Sequence, residues 1–266
     1  MKIVVCIKQV PEVTQVQVDP VTGTLIREGV QSILNPFCEY ALDHSVRLRQ
    51  LHDDVEIIAI TMGPPQAKDA LLRCLELGAD EGILVTDRKF AGADTWATAY
   101  TLAEAIRHEV PDYDLILTGK QAIDGDTAQV GPEIAEILGL PQITYAVDVR
   151  PGRTGRHVRV TQEVERGYDV LEVLTPALVT CSKGEVVRRA SSLHDVVQAR
   201  RKPIKTVRAE DLPISEDELG LKGSYTQVVK VFPPAQKKCC QKVENLEPEH
   251  AAAEIYQFLK ERRFIG

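Results

Sequence analysis

Short apolar runs alternate with segments of helical periodicity along the first half of the chain. The runs have the length and composition of buried strands and lie at Ile3–Ile7, Val55–Met62, Ile83–Val85 and Leu115–Leu117. Strands that alternate with helices indicate a parallel sheet covered on both faces. In such a sheet, ligands bind outside the carboxyl ends of the strands.

The intervening segments are predicted as helices. Pro36–Leu51 has Asn35 as its N-cap and a proline at its first helical position, where proline is favoured. Apolar residues at helical spacing from Ala67 to Leu75 predict a second helix, which stops at Gly78. The same spacing predicts a third helix from Trp96 to Ile106.

The second half of the chain has a different pattern. After Pro141 the apolar residues follow period two, which indicates antiparallel strands added to the sheet edge. These strands are Ile143–Val149, His157–Val164, Tyr168–Leu174 and Leu178–Thr180. A turn-rich segment at residues 15–26 is predicted as a hairpin inserted after the first strand.

Beyond residue 183 the proline and charge content rises and the core pattern fades. We therefore expect residues 1–182 to form an α/β nucleotide-binding domain. Residues 183–266 are expected to form an extended arm that docks on a partner and ends in an amphipathic helix from Glu249 to Arg262. The predicted fold class is α/β, with a mostly parallel, doubly wound sheet, antiparallel edge strands and this C-terminal arm.

Composition narrows the class of protein further. The chain has 266 residues, of which 44% are hydrophobic and 27% charged, as in an ordinary globular protein. A net charge of −7 and only 5% aromatic residues argue against nucleic acid as a partner. No apolar window approaches the ~18 residues of a membrane span, so we expect no membrane insertion and a cytoplasmic protein.

One segment departs from the acidic average. Between Lys183 and Arg208 there are eight cations and two acids, a net charge of +6. A basic segment on the surface would increase the rate of association with an acidic partner. A solvated, charged linker is the alternative interpretation.

The chain offers few residues for catalysis. Its six cysteines include no C-x-x-C pair, and four of them lie in apolar runs, where we expect core thiols. The six histidines are scattered and are expected to be solvated. No serine nucleophile elbow, zinc-binding histidine pair or pair of catalytic carboxylates occurs, so no catalytic residue and no metal site are assigned.

The segment from Leu115 to Pro132 is the most informative. A strand ends at Thr118, a glycine-containing loop follows, and Asp126 or Thr127 is expected to cap a helix that runs to Leu138. Backbone N–H groups and a helix N-terminus at a strand's carboxyl end favour phosphate. The loop is neither a P-loop nor a G-x-G-x-x-G motif, and an ordinary strand–loop–helix connection is the alternative.

Two other loops would converge on the same crevice of a parallel sheet. They are Asn35–Cys38 and Met62–Pro65. Together the three loops outline an adenine-nucleotide or dinucleotide pocket. A pocket without acid–base residues leaves the chemistry to a cofactor.

The chain closely resembles the β subunits of electron transfer flavoproteins. The shared motifs are Val4–Lys8, Asn35–Glu39, Gly63–Pro64, Leu77–Asp80, Gly119–Gly131 and Thr175–Thr180. The resemblance implies an adenine-nucleotide-binding α/β fold in an obligate heterodimer with an α subunit that carries FAD. The cofactor contacts it implies are Cys6, Asn35, Pro36, Phe37, Cys38, Met62, Gly119, Lys120, Gln121, Ala122, Ile123, Asp124, Gly125, Asp126, Thr127, Ala128, Gln129 and Val130.

The loop from Gly125 to Pro132 is similar to that of electron-bifurcating members, which hold a second FAD where other members hold AMP. Gly125 replaces an acidic side chain that would repel a pyrophosphate. The resemblance then implies that NADH reduces this FAD. One electron passes to ferredoxin or flavodoxin and the other to the α-subunit FAD, which feeds an acyl-CoA or lactate type of flavin dehydrogenase.

Two alternatives stay open at this point. A non-bifurcating β subunit would bind AMP as a structural ligand. An ATP-using ligase or pyrophosphatase would share a similar fold, but Lys8–Pro11 stands where such enzymes have a Ser-Gly-Gly-rich phosphate loop.

The same resemblance gives the basic segment a role. Arg189–Leu193 falls where the family has a protruding recognition loop, and Leu193 matches the leucine that anchors the partner dehydrogenase. The docking residues expected on this basis are Arg189, Ser191, Ser192, Leu193, Arg200 and Arg201.

Overall fold

The computed structural model describes residues 1–12, 32–52, 54–184, 190–229, 244 and 247–265. The chain divides into two compact units, Met1–Lys230 and Val231–Gly266. The hairpin predicted at residues 15–26 lies outside the described residues, as do Arg189 and the cysteines at positions 239 and 240.

Eleven strands and six helices make up the described residues. The strands are β1 (Lys2–Cys6), β2 (Gln9–Pro11), β3 (Ser32–Leu34), β4 (Glu56–Met62), β5 (Glu81–Val85), β6 (Leu115–Gly119), β7 (Gln142–Pro151), β8 (His157–Val164), β9 (Gly167–Leu174), β10 (Ala177–Cys181) and β11 (Ile204–Val207). The helices are α1 (Pro36–Leu51), α2 (Lys68–Leu77), α3 (Thr95–Glu109), α4 (Val130–Leu138), α5 (Leu193–Ala199) and α6 (Pro248–Glu261). Short 3₁₀ turns join several of these elements.

Nine strands form one sheet in the order β11-β5-β4-β1-β6-β10-β7-β8-β9. Neighbours from β11 through to β7 are parallel, whereas β8 is antiparallel to both β7 and β9. The chain runs outward from β1 through β4 to β5 and then returns to β6 on the other side of β1. This reversal places the ligand crevice of a doubly wound sheet at the carboxyl ends of β1 and β6. The predicted fold class is confirmed.

The prediction of Leu178–Thr180 as an antiparallel edge strand is wrong. The strand lies inside the sheet and is parallel to both β6 and β7. All five residues of β10 are buried, and its near-continuous apolar run is typical of a parallel strand covered on both faces. In β8 the alternate residues Val158 and Val160 are buried, as period two predicts. β7 instead buries every third residue, Ile143, Ala146 and Val149, and nearly all of β9 is exposed.

The core has two layers, one on each face of the sheet. Ile3 and Val5 of β1 pack in the layer formed with α1 and α2. Val4 and Cys6 point the other way, into the layer formed with α3 and α4. The predicted bounds of α1 and the predicted end of α2 at Gly78 are confirmed.

The compact body extends past residue 182. β11 joins the sheet beside β5, and Val207, Leu212 and Leu219 are buried in the layer with α3 and α4. The ammonium of Lys202 donates to the Ala79 carbonyl (2.5 Å) at the end of α2. Much of the basic segment is thus part of the body, and the first unit ends at Lys230.

The expectation that the histidines are solvated is wrong for His44. This side chain is fully buried on α1, and neither ring nitrogen has a hydrogen-bond partner among the described residues. Burial lowers its pKa to about 4, because the charged imidazolium is costly to desolvate. The expected core thiols are confirmed for the buried Cys6, Cys38, Cys74 and Cys181.

In the second unit, α6 confirms the predicted terminal helix, and Ile255, Tyr256 and Phe258 are exposed on it. Over the described parts of both units, no helix is both long enough and apolar enough to cross a bilayer.

Candidate functional site

Three parallel strands end side by side at the carboxyl edge of the sheet. Cys6 ends β1, Met62 ends β4 and Gly119 ends β6, and the registers pair Cys6 with Thr118 and with Ile60. The N-terminus of α1 approaches this edge from one face and the N-terminus of α4 from the other. The fold therefore brings the strand ends and helix N-termini that carry the expected nucleotide contacts to one edge of the sheet.

Asn35 is completely buried at the start of α1 and ties this helix to the loop after β6. Its amide nitrogen donates to the Gln121 carbonyl (2.8 Å), and its amide oxygen accepts from the Ile123 N–H (3.2 Å). Asn35 occupies the predicted N-cap position, but its side chain makes no capping hydrogen bond. The local pattern predicted the N-cap position correctly, but the Asn35 side chain bonds to Gln121, which is 86 residues away in the chain.

The Cys38 thiol lies at the junction of β1, β6 and α1. The backbone N–H groups of Lys8 and Gly119 and the side-chain amide of Asn35 donate to its sulfur. Burial raises the pKa of this thiol, and the three donors oppose that shift in part. The sulfur thus acts as a buried acceptor that fixes the strand ends.

Glycine is required where the two helices meet the strand ends. A Cβ on Gly119 would stand 2.7 Å from the Phe37 carbonyl carbon. One on Gly131, in the first turn of α4, would stand 2.8 Å from the Thr118 hydroxyl. Both helix N-termini therefore pack directly on the edge of the sheet.

The loop between β6 and α4 is held by its own polar contacts. Lys8 pairs with Asp124 (2.7 Å), the Gln121 amide donates to Asp126, and the Asp126 N–H donates to the Ala122 carbonyl (2.8 Å). Asp126 and Ala128 both have left-handed backbones, with φ of 54° and 55°. Such strain in non-glycine residues is concentrated at functional sites.

The expected cap of α4 at Asp126 or Thr127 is wrong. The helix begins at Val130, and Gln129 occupies the N-cap position without a side-chain cap. The left-handed residues delay the start of the helix, because they interrupt the helical backbone. The first-turn N–H groups are left without a capping side chain, and such groups bind phosphate.

Lys120 and Tyr145 add a feature that the sequence pattern did not indicate. The Lys120 ammonium lies 5.1 Å from the centre of the Phe37 ring and 5.4 Å from that of Tyr145. Tyr145 is left-handed (φ 54°), and its N–H donates to the Thr180 hydroxyl (3.1 Å). A bulky residue with positive φ cannot be predicted from period two.

The comparisons with known proteins agree with one another. Residues 22–212 match the family model described as "Electron transfer flavoprotein domain". The electron transfer flavoprotein subunit beta of Clostridium acetobutylicum is 46% identical over 265 residues, which cover 100% of both chains. The chain belongs to the electron transfer flavoprotein family. The CarD subunit of the caffeyl-CoA reductase-Etf complex of Acetobacterium woodii is 43% identical, again over 100% of both chains. Protein FixA of Azorhizobium caulinodans is 43% identical over 89% of this chain and 86% of its own.

In this electron transfer flavoprotein β subunit, the described residues among those expected to dock a partner lie in and next to α5. Ser192 caps α5 in a capping box with Asp195, whose N–H donates to the Ser192 hydroxyl (3.2 Å). Arg73 of α2 donates to the Ser191 hydroxyl (2.7 Å). Leu193 is 80% exposed, and Arg200 and Arg201 are exposed at the other end of α5. The residues expected to dock a partner thus lie at the two ends of α5, with Leu193, Arg200 and Arg201 exposed and Ser191 half-buried.

Proposed function

We propose that this β subunit belongs to an electron-bifurcating electron transfer flavoprotein and holds FAD at the carboxyl edge. Position 125 carries the proposal. A Cβ on Gly125 would meet no atom within 4 Å, so nothing in the described chain requires glycine there. A ligand that passes close to the backbone gives a reason for the missing side chain.

The surrounding residues fit a dinucleotide. The first turn of α4 has no capping side chain and offers N–H groups to a pyrophosphate. Lys8 pairs with Asp124 and so reduces the negative charge of the loop beside that group. The side chains of Asn35 and Cys38, at the start of α1, form hydrogen bonds to the backbone of Gln121, Ile123 and Gly119 and so hold the end of β6 and the loop after it.

The chemistry that FAD supplies at this site is acceptance of a hydride from NADH and separate release of the two electrons. The acceptors of the two electrons would be ferredoxin or flavodoxin and the FAD of the α subunit. The chain itself binds, orients and shields the cofactor, and we assign no catalytic residue to it.

Docking of a dehydrogenase is the second part of the proposal. The relative CarD is named as a subunit of a caffeyl-CoA reductase-Etf complex, and we extend this kind of partner to our chain. Leu193 is the anchor, because an apolar side chain that is 80% exposed on a capped helix is available to a pocket on another protein. Arg200 and Arg201 increase the rate of association with an acidic partner.

Substitutions at position 125 test the cofactor assignment. Gly125→Asp places an acidic side chain at this position, and we expect FAD binding at the β site of the αβ heterodimer to weaken at least about tenfold while AMP binding there changes little. Gly125→Ala is the matched control, since it adds a methyl group without charge. Equal effects of the aspartate on FAD and AMP would argue against a pyrophosphate at this position and for the structural AMP alternative.

A further inference from the structure

The N-terminus of α3 carries none of the expected cofactor contacts, yet it lies against the N-terminus of α4. The Thr95 hydroxyl, in the first turn of α3, is 3.1 Å from Glu133 Oε1 and 3.5 Å from Gln129 Oε1. We infer that Thr95 is a positioning residue of the nucleotide site, and that its hydroxyl, by donating to Glu133, holds the first turn of α4 in place for the phosphate of the nucleotide. This inference rests on the proposed function.

The first turn of α4 has little local support. It has no capping side chain, Pro132 within it has no N–H to donate, and the preceding loop contains the left-handed Asp126 and Ala128. A left-handed backbone is energetically unfavourable for residues other than glycine. The orientation of the phosphate-facing N–H groups therefore depends on contacts from outside the loop and α4.

Glu133 makes the Thr95 contact important. Its Oε2 atom is buried without a hydrogen-bond partner in the described chain, and burial raises the pKa of this carboxyl. Thr95 gives the one side-chain hydrogen bond that Glu133 receives from the described residues. Loss of that hydroxyl would leave a partly buried carboxylate without a donor, which favours a shift of the turn that carries it.

Thr95 acts from a firmly held position. Asp94 caps α3 through the Ala97 N–H (3.0 Å) and also accepts from the Thr226 N–H (2.9 Å) and hydroxyl (3.0 Å). The Asp94 N–H donates to the Ser224 hydroxyl (2.9 Å). The first turn of α3 is therefore anchored both along its own axis and to the chain at residues 224–226, and it provides a fixed support for α4.

Titration of the nucleotide-depleted αβ heterodimer with AMP and with FAD tests this inference. We expect Thr95→Val, which keeps the shape and removes the hydroxyl, to weaken binding of the preferred nucleotide at least about fivefold. Thr95→Ser keeps the hydroxyl and should stay within about twofold of the wild type. Thr98→Val, one turn along α3, is the matched control, because no side-chain hydrogen bond to a described residue is lost there. Thermal unfolding of each nucleotide-free variant confirms that the comparison is made on folded protein.

The outcomes separate the inference from the function on which it rests. Weak binding in Thr95→Val that Thr95→Ser restores supports the hydroxyl as the positioning group. Wild-type affinity in Thr95→Val, or equal weakening in the valine and serine variants, overturns the inference alone. A wild-type β site that binds AMP and not FAD overturns the proposed function alone. A wild-type β site that binds neither nucleotide overturns the proposed function and the inference with it.

Discussion

At the scale of single residues, the glycines of the carboxyl edge differ in what surrounds them. A Cβ on Gly119 or Gly131 would meet backbone or side-chain atoms within 2.9 Å, whereas a Cβ on Gly125 would face open space. The first two positions are required by packing within the chain. The third is free for a ligand.

Gly119→Ala should destabilise the protein by about 1–3 kcal/mol, because the added methyl group must displace the Phe37 and Cys38 backbone. Gly125→Ala should leave stability within about 0.5 kcal/mol of the wild type. Urea denaturation of both variants measures the difference. Equal stability of the two would contradict the close packing of α1 on β6.

His44 gives a prediction about pH. Its pKa falls from 6.5 to about 4 on folding, so between these values the unfolded chain takes up a proton that the folded chain does not. The unfolding free energy should therefore decrease by roughly 3 kcal/mol from this residue as the pH falls through that window. His44→Leu, of similar volume, should remove this decrease, and urea denaturation at a series of pH values measures it.

The exposed His108 serves as the control for that experiment. His108→Leu also removes one histidine and is measured at the same pH values. If the unfolding free energy of the wild type and of His44→Leu changed with pH in the same way, the lowered pKa of His44 would be contradicted.

At the scale of elements, the sequence predicted structure well where the signal is local. Pro36 and Gly78 mark the ends of α1 and α2, and both ends are as expected. β10 was misassigned because its place between β6 and β7 depends on pairing with distant strands. The start of α4 was missed because the left-handed Asp126 and Ala128 have no signature in composition.

In the candidate site, too, local features were predictable and long-range contacts were not. The three loops were placed at one edge from the order of strands and helices alone. The contacts of Asn35, Thr95 and Tyr145 were not predicted, because each joins elements that are far apart in the chain. Such contacts depend on the folded geometry and leave no periodic pattern.

Leu193 and α5 give a prediction at the element scale. Leu193→Ala should reduce electron transfer to the partner dehydrogenase at least about tenfold, because an anchor in a pocket contributes most of its free energy through burial. Unfolding temperature should not change, since the side chain is 80% exposed. Leu51→Ala, at the exposed end of α1, is the matched control and should leave the rate unchanged. An unaltered rate in Leu193→Ala would remove the anchor assignment.

At the scale of the whole molecule, the basic segment between Lys183 and Arg208 departs from the acidic charge of the rest of the chain. Lys202 and Lys205 of that segment are held by the body, through the Ala79 carbonyl and Glu109, while Arg200 and Arg201 remain exposed. The basic segment is thus partly structural, which the charge pattern alone did not indicate. Its exposed end is the part available to a partner.

The attachment of residues 224–226 to α3 predicts how the end of the first unit behaves. Asp94→Ala removes the cap of α3 and the acceptor for Thr226, and a cap of this kind contributes about 1 kcal/mol. Chymotrypsin should cleave at the exposed Tyr225 several times faster in this variant. Asp112→Ala removes an exposed aspartate elsewhere on the body, and chymotrypsin should cleave this variant at the wild-type rate. No difference between the two variants would contradict the anchoring role of Asp94.

The cofactor content of the purified αβ heterodimer tests the central claim most directly. Denaturation should release two FAD and no AMP per heterodimer, one FAD from the α subunit and one from the carboxyl edge of β1, β4 and β6. Release of one FAD and one AMP would contradict the assignment of FAD to this subunit.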